Sequence, residues 1–566
     1  MEERKEYLEI YEKWMSKKDL GPALKEELKK IEGNEDEIEE RFYQTIEFGT
    51  AGLRGILGAG TNRMNIYTVR RAAQGFAQAI NQNGRKDNRV VLAYDSRKMS
   101  VEFSKESAKI FASNGIKVYL FSEVTPTPVL SYAVRSLKCS GGVMITASHN
   151  PKNYNGYKVY WDDGAQVTEE KANLIINEVN KVDNYLDLET KSFDEYLKEG
   201  KIQVIYDKVY AKYYEEINNL EYMKKGDKDI SILFSPFFGT SKKSVAHVMK
   251  QYGFKNFSVL EEQGEPNSDF PNLDYPNPED PKSFMLLREK AKITKPDLLM
   301  ATDPDGDRIG TQVLHNGEYV VLTGNQMGVL MVDYLMNKVP VPENGYIVKT
   351  VVTADLSGKI ASSKGVKVYE VLTGFKYIAE LAKELEPKGE KYIFGYEESY
   401  GYMPRLFVRD KDAIQAILLL AQIASDLKDK EQTLIDRLED IYLEYGYHEE
   451  INISRNYEGI EGKEKMVAIM NLLREDFAEK TSLELVKMQD FYYSIERDFT
   501  TKTEISIDLP QSNVLKFYLK DRSWVAVRPS GTEPKIKYYF SVAGKDKNDA
   551  EMKAEKFKEE FFKILE

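Results

Sequence analysis

Three stretches of this 566-residue chain repeat one rhythm: a short apolar run, a helical span, a second apolar run, a helical span, a third apolar run. No other feature restricts the fold as strongly, because strands alternating with helices build parallel or mixed sheets covered by helices. The first stretch reads RVVLAYD (89–95), a helix from Val101, IKVYLF (116–121), a helix from Pro128 and GGVMITA (141–147). The second reads DISILF (229–234), a helix from Ser241, FSVLE (257–261) and PDLLMATD (296–303). The third reads GYIVKTVV (345–352), a helix from Ala354, VKVYEVL (366–372), a helix from Phe375 and KYIFGYEES (391–399). The units share an architecture without strong identity, so they are not solenoid repeats.

The ends of the chain differ from the middle. Residues 1–45 predict helices whose Tyr7, Tyr11, Trp14, Met15, Leu24, Leu28 and Ile31 share one buried face. WVAVRPS and KIKYYFSVAG predict paired strands, followed by an amphipathic helix over 550–565. The expected fold class is α/β: three consecutive α/β domains with mixed βαβαβ-type sheets, then a smaller C-terminal α+β domain. Breaks near residue 207, in 318–326 and in 445–460 divide the chain into 1–207, 208–322, 323–447 and 448–566. The Pro-, Asn- and Asp-rich segment 264–281 reads as a long ordered loop.

Composition narrows the function. The net charge of −12 offers no basic stripe, so neither nucleic acid nor an anionic membrane is an expected partner. One cysteine, Cys139, excludes a disulfide framework and reads as a packed residue, and four histidines without close His or Cys neighbours leave little room for zinc. MEERKEYLEIYEKWM is charged from its second residue, unlike a signal peptide. AIQAILLLAQIA, from Ala413, contains two glutamines and is too short to span a bilayer. A cytoplasmic location is expected.

Ligands of open α/β sheets gather at the carboxyl ends of the strands. After GGVMITA comes Ser148-His149-Asn150-Pro151, and the segment runs on to Lys158. The Asn-Pro step forces a turn, which predicts an exposed Ser148 beside a proton carrier; a merely polar turn is the alternative. After PDLLMAT comes Asp303-Pro-Asp305-Gly-Asp307-Arg308. Three carboxylates at alternate positions can converge on a hard divalent cation, and three protein oxygens leave room for water or a phosphate oxygen, which favours magnesium over calcium. An acidic surface turn is the alternative here. After YIFG, the run Tyr396-Glu397-Glu398-Ser399-Tyr400-Gly401-Tyr402 combines carboxylates, a hydroxyl and aromatic rings, a set suited to sugar hydroxyls. In the last domain Arg528, Ser530, Gly531 and Thr532 form a compact phosphate cradle in the segment RPSGTEPK. No P-loop or dinucleotide fingerprint is present.

Together TASHNP (146–151), DPDGDR (303–308), GYEESYG (395–401) and RPSGTEPK (528–535) resemble the α-D-phosphohexomutase superfamily, in particular its phosphoglucomutase branch. GTAGLRG (49–55), YDSR (94–97), TPTP (125–128) and LTGFK (372–376) are lesser matches, so the resemblance covers roughly residues 45–566 in order. It implies four domains around a central cleft and a phosphorylated Ser148 whose phosphate completes a magnesium shell with Asp303, Asp305 and Asp307. It implies Lys158 as general acid/base, with Arg54 and His149 flanking the phosphoserine. Substrate contacts would come from Arg308, from Gly374, Phe375 and Lys376, from Glu397 and Ser399, and from Arg528, Ser530, Gly531 and Thr532.

The implied reaction interconverts glucose 1-phosphate and glucose 6-phosphate, with glucose 1,6-bisphosphate as intermediate and activator. Mannose or pentose phosphates and bisphosphate synthesis are the alternatives on the same scaffold. Ser399-Tyr400-Gly401 stands where bifunctional members carry Ser-Gly-His, which favours the glucose pattern. A monomer or homodimer acting on a small phosphosugar is expected. A phosphatase with Asp303 as nucleophile would leave TASHNP and RPSGT without a task, and a non-catalytic sugar-phosphate sensor would not need the complete set of chemical groups.

Overall fold

Strands of a sheet covered on both faces lose their polar alternation, and RVVLAY and GGVMI, buried almost throughout, follow that rule. In the computed structural model, which describes residues 3–49, 52–83, 87–457, 459–530 and 535–565, they are central strands of a six-stranded sheet. Its members are β1 (Leu53–Ile56), β2 (Arg89–Tyr94), β3 (Lys117–Phe121), β4 (Gly141–Ile145), β5 (Tyr154–Trp161) and β6 (Ile202–Ile205), in the order β1-β5-β4-β2-β3-β6. β2 pairs in parallel with both β3 and β4, so the chain reverses its direction of winding there, the place where open α/β sheets bind ligands at the carboxyl ends of their strands. β5 returns antiparallel to β4 and sets Lys158 opposite Met144.

A second sheet repeats the plan. β7 (Lys228–Ser235), β8 (Phe254–Val259), β9 (Leu298–Thr302), β10 (Ile309–His315) and β11 (Glu318–Leu322) are ordered β11-β10-β9-β7-β8. β7 is parallel to β8 and β9, and β10 and β11 extend the sheet antiparallel. β12 (Gly345–Thr350) and β13 (Lys367–Val371) pair in parallel, whereas β14 (Lys391–Glu397) and β15 (Gly401–Met403) form an antiparallel hairpin. The apolar run from Ala413 is a helix, Ala413–Lys428, whose residues are nearly all buried. No helix among the described residues is long and apolar enough to cross a membrane.

The chain divides into two compact units, Met1–Met327 with Phe375–Thr433, and Gly328–Gly374 with Leu434–Glu566. At the start of the first, helices Glu3–Ser16, Pro22–Lys30 and Glu35–Phe42 bury Tyr7, Tyr11, Trp14, Leu28 and Ile31 together with Phe42 and Tyr67. The second contains an antiparallel seven-stranded sheet of β16 (Tyr447–Asn456), β17 (Leu485–Asp490), β18 (Ile495–Asp498), β19 (Thr503–Ser506), β20 (Leu515–Leu519), β21 (Trp524–Pro529) and β22 (Lys535–Gly544). Its order is β16-β22-β21-β20-β17-β18-β19. Sequence reading finds β21 and β22 but not β16 to β20. IERD and TEIS are half-exposed and fully exposed strands toward one edge, and their charges hide the apolar alternation.

His448 on β16 is buried, and its Nε2 lies 2.7 Å from Lys359 Nζ, so the ammonium donates and the ring stays neutral. Burial, then the Lys359 charge, push its pKa down to about 4 against a small opposing pull from Asp355. An unfolded chain binds the proton from pH 6.5 downward while the native chain does not, so folding weakens as pH falls from 6.5 to 4. This single group accounts for up to about 3 kcal/mol over that window. The expected result is that His448→Gln, whose amide oxygen can accept from Lys359, flattens the acid slope of the unfolding midpoint. Parallel slopes for both proteins would refute the assignment.

Candidate active site

Ser148 follows β4 and is buried, only 3% exposed, which corrects the exposed serine expected from the Asn-Pro turn. The reason is tertiary: DPDGDR, after β9, lies against the serine, and Ser148 Oγ donates to Asp303 Oδ2 at 2.6 Å. The other side of Oγ faces His149 Nδ1 at 3.2 Å. Ser148 has a φ of 50°, a left-handed conformation that costs roughly 1–3 kcal/mol unless surrounding contacts impose it. Arg54 on β1 is exposed and donates to Asn150 Oδ1 at 3.1 Å, so β1 and the serine loop are joined side by side. Gly156 on β5 makes that approach possible: a Cβ there would stand 2.5 Å from Thr146 O and 2.8 Å from Leu53 O.

Asp303, Asp305 and Asp307 are all buried, and each offers a carboxylate oxygen within 4.8 Å of the others. Gly306, at φ 67°, bends the loop so that Asp303 Oδ1 accepts the Asp307 and Arg308 backbone N–H groups at 3.1 and 3.0 Å. Thr127 donates its hydroxyl to Asp305 Oδ2 at 3.0 Å. Asp305 Oδ1 and Asp307 Oδ1 are buried without a hydrogen-bond partner among the described residues. Two buried anionic oxygens left without donors, in an all-carboxylate set, fit a hard divalent cation such as magnesium.

Three cations surround the carboxylates. Lys158 Nζ donates to Asp305 Oδ2 at 2.7 Å and to Asp307 Oδ2 at 3.3 Å. Lys411 Nζ lies 3.1 Å from Asp307 Oδ2 and 3.2 Å from Asp410 Oδ1. Arg308 pairs with Glu279, from the long loop at 264–281. Burial would strip the charge from Lys158, but Asp305 and Asp307 outweigh it and hold its pKa above the ordinary lysine value. Burial likewise acts on Asp307, and Lys411, Lys158 and Arg308 overcome it, holding that carboxyl low. Asp303 moves the opposite way, raised by burial and by its two acidic neighbours.

Of the sugar-contact candidates, Glu397 and Phe375 lie beside this cluster. Glu397 ends β14 and is buried, and its charge is felt by both Lys411 and Arg308. Ser399 is half-buried in the turn of the β14–β15 hairpin, and Ile309 N–H donates to Tyr400 O at 3.2 Å, tying that turn to DPDGDR. Lys411 Nζ lies 5.3 Å from the Phe375 ring centroid. Lys376 instead donates to Glu169 Oε1 at 2.9 Å, and Gly374 takes a φ of 132° that a side chain would strain. In the other unit, Arg528 ends β21 half-buried, and Ser530 N–H donates to Lys535 O at 2.8 Å. Gly531 and Thr532 lie outside the described residues.

Lys411, Asp410 and Glu279 escape a reading of the sequence. VRDKD (408–412), which begins seven residues beyond GYEESYG, gives the signal for the first two, but nothing local says that Lys411 reaches Asp307.

Four family models match in order, all described as phosphoglucomutase/phosphomannomutase: alpha/beta/alpha domain I at residues 45–186, domain II at 208–316, domain III at 323–445 and the C-terminal domain at 473–559. The chain is 38% identical over 511 residues to the phosphoglucomutase of Staphylococcus haemolyticus, covering 89% of this chain and 91% of that protein. It is 36% identical over 530 residues to the phosphoglucomutase of Staphylococcus aureus, covering 92% and 94%. Among solved structures, parafusin, a phosphoglucomutase from Paramecium in its open form, matches with a TM-score of 0.67 at 18% identity, over 89% of this chain and 91% of that one. A phosphoglucomutase/phosphomannomutase family protein from Burkholderia thailandensis matches with a TM-score of 0.65 at 18% identity, over 91% and 95%. The fold is thus three α/β domains with mixed sheets followed by a C-terminal domain built on an antiparallel sheet. With relatives of that identity along nine-tenths of its length, this chain belongs to the phosphoglucomutase/phosphomannomutase family and is an intramolecular phosphotransferase of the isomerase class.

Proposed function

We propose that the enzyme interconverts α-D-glucose 1-phosphate and glucose 6-phosphate through a phosphorylated Ser148 and a glucose 1,6-bisphosphate intermediate. The observation that supports this most directly is Ser148 Oγ, 2.6 Å from Asp303 at the head of a buried carboxylate triad with two unpartnered oxygens. Asp303, Asp305 and Asp307 would hold magnesium, which when bound neutralises charge on the phosphoryl oxygens. The division into 1–207, 208–322, 323–447 and 448–566 belongs to the same reading, with one functional loop per domain, as does a cytoplasmic location.

In the first half-reaction the sugar hydroxyl attacks phosphorus, the bond to Ser148 Oγ breaks, and a phosphate ester forms on the sugar. Lys158 relays the hydroxyl's proton, and Ser148 Oγ regains one as its bond to phosphorus breaks. The bisphosphate then turns end for end and returns its other phosphoryl group to the serine. Phosphoryl transfer depends mainly on in-line positioning and on charge stabilisation, which Arg54, Arg308 and Lys411 supply around the serine. Glu397 and Ser399 serve the sugar hydroxyls, Glu397 by accepting hydrogen bonds, and Gly374, Phe375 and Lys376 are the further sugar contacts that the family resemblance implies. Arg528, Ser530, Gly531 and Thr532 hold the phosphate that is not transferring, and His149 flanks Ser148 Oγ.

Phosphorus NMR of the protein with α-glucose 1-phosphate, magnesium and a trace of glucose 1,6-bisphosphate tests the reading. Glucose 6-phosphate with little free phosphate is the expected spectrum. Free phosphate as the main product would replace the mutase with a phosphatase.

A further inference from the structure

Two residues just past β2 touch neither the candidate cation site nor a sugar contact, yet they enclose the serine loop. Arg97 is fully withdrawn from solvent. Its Nη2 donates to Ser148 O and to Asn150 O, both at 2.6 Å, and its Nη1 donates to Pro151 O at 2.8 Å and Tyr154 O at 3.1 Å. Its Nε faces Asp95 Oδ2 at 3.3 Å. Four hydrogen bonds thus run from the two Nη groups to carbonyls of one short loop, while Nε takes part only in the ion pair with Asp95. The Phe270 ring, 5.3 Å away, lies across the guanidinium.

Asp95 holds the opposite side of the same serine. Its Oδ1 accepts from Arg97 N–H at 2.9 Å and Ser100 Oγ at 2.8 Å, and its Oδ2 accepts from Thr146 Oγ1 at 2.6 Å. The Thr146 hydroxyl in turn accepts Ser148 N–H at 2.8 Å. One buried ion pair therefore fixes both backbone groups of Ser148, its N–H through Thr146 and its C=O directly. That serine has a φ of 50°, a conformation that persists only where its surroundings over-determine it. A lysine at position 97 would keep the charge but not the planar fork that reaches four carbonyls.

We propose that Asp95 and Arg97 are the positioning pair of the phosphoryl-transfer step: they lock Ser148 in its left-handed conformation and so aim Oγ at the carboxylate triad. The inference rests on the reading that Ser148 carries the phosphoryl group. Because the pair acts through the loop and not on the sugar, its loss changes kcat and phosphorylation rate while leaving KM.

The test compares wild type, Arg97→Lys, Thr146→Val and Thr146→Ser in steady-state kinetics and in the rate of Ser148 phosphorylation by glucose 1,6-bisphosphate, read by intact mass. Displacing a reacting atom by about 1 Å costs on the order of 100-fold, so Arg97→Lys is expected to lower kcat and the phosphorylation rate about 100-fold with KM within about threefold. Thr146→Val is expected to fall about tenfold or more, and Thr146→Ser, which restores the hydroxyl, to return within about threefold of wild type. If Arg97→Lys does not fold, the Thr146 pair decides the matter. A wild type that phosphorylates normally beside unimpaired variants would overturn the positioning role. So would a defect confined to KM, or a Thr146→Ser as slow as Thr146→Val. A wild type that takes up no phosphate would overturn the phosphoserine reading, and this inference with it.

Discussion

Ser148→Ala is expected to lower kcat by about 10⁴-fold or more while leaving the protein folded, because removing the proposed covalent nucleophile eliminates the path and not merely a contact. The change is mild structurally. Alanine tolerates a φ of 50° no worse than serine, and the backbone bonds of residue 148 to Thr146 and Arg97 do not involve Oγ. The one strong side-chain bond lost is the donation to Asp303 Oδ2, beside the weaker contact with His149. Turnover and thermal unfolding measured on one preparation check both parts. A variant that turns over at close to the wild-type rate would remove Ser148 from the mechanism, and a large drop in unfolding temperature would show the serine to be structural.

Asp307→Asn carries the second large effect. The carboxylate is buried and serves Lys158 at 3.3 Å and Lys411 at 3.1 Å, with Arg308 Nε 3.9 Å from its other oxygen. Asparagine keeps the shape and removes the charge, so three buried cations lose a shared counter-ion. Each keeps one other partner: Asp305 for Lys158, Asp410 for Lys411 and Glu279 for Arg308. Breaking a buried pair usually costs about 3–5 kcal/mol, and those remaining partners place this case near 3 kcal/mol. Activity is expected to fall about 10³-fold at saturating magnesium, since one of the three proposed cation ligands is gone along with the group that orients both lysines. The unfolding midpoint and kcat at high magnesium are the measurements. Wild-type values of both would refute the assigned place of Asp307.

The two variants separate different kinds of contribution. In the proposed mechanism Ser148 supplies chemistry at small structural cost, whereas Asp307 ties chemistry to the stability of the fold. A buried cluster of three acids is tolerable because Lys158, Lys411 and Arg308 balance it.

The order of apolar runs and helical spans determined the α/β class, since buried parallel strands need apolar residues on both faces, as RVVLAY and GGVMI show. The four loop motifs were legible for a related reason: TASHNP, DPDGDR, GYEESYG and RPSGTEPK concentrate functional groups at strand ends, where local sequence alone supplies the chemistry. The antiparallel additions were not legible. β5, β10 and β15 carry glycine or polar residues that break the alternation, and their pairing depends on partners distant in the chain.

Only the tertiary structure decided that Ser148 is buried, that Lys411 belongs to the acidic cluster, and that Arg97 spans the serine loop. Each of these depends on a contact between segments from about 50 to 155 residues apart. The sequence states which charges a segment carries; the winding of β2, β4, β7 and β9 states which charges meet. Parallel neighbours on either side of a reversal bring their carboxyl ends to one edge, and there the balance of burial against opposite charge sets what each carboxylate and lysine can do.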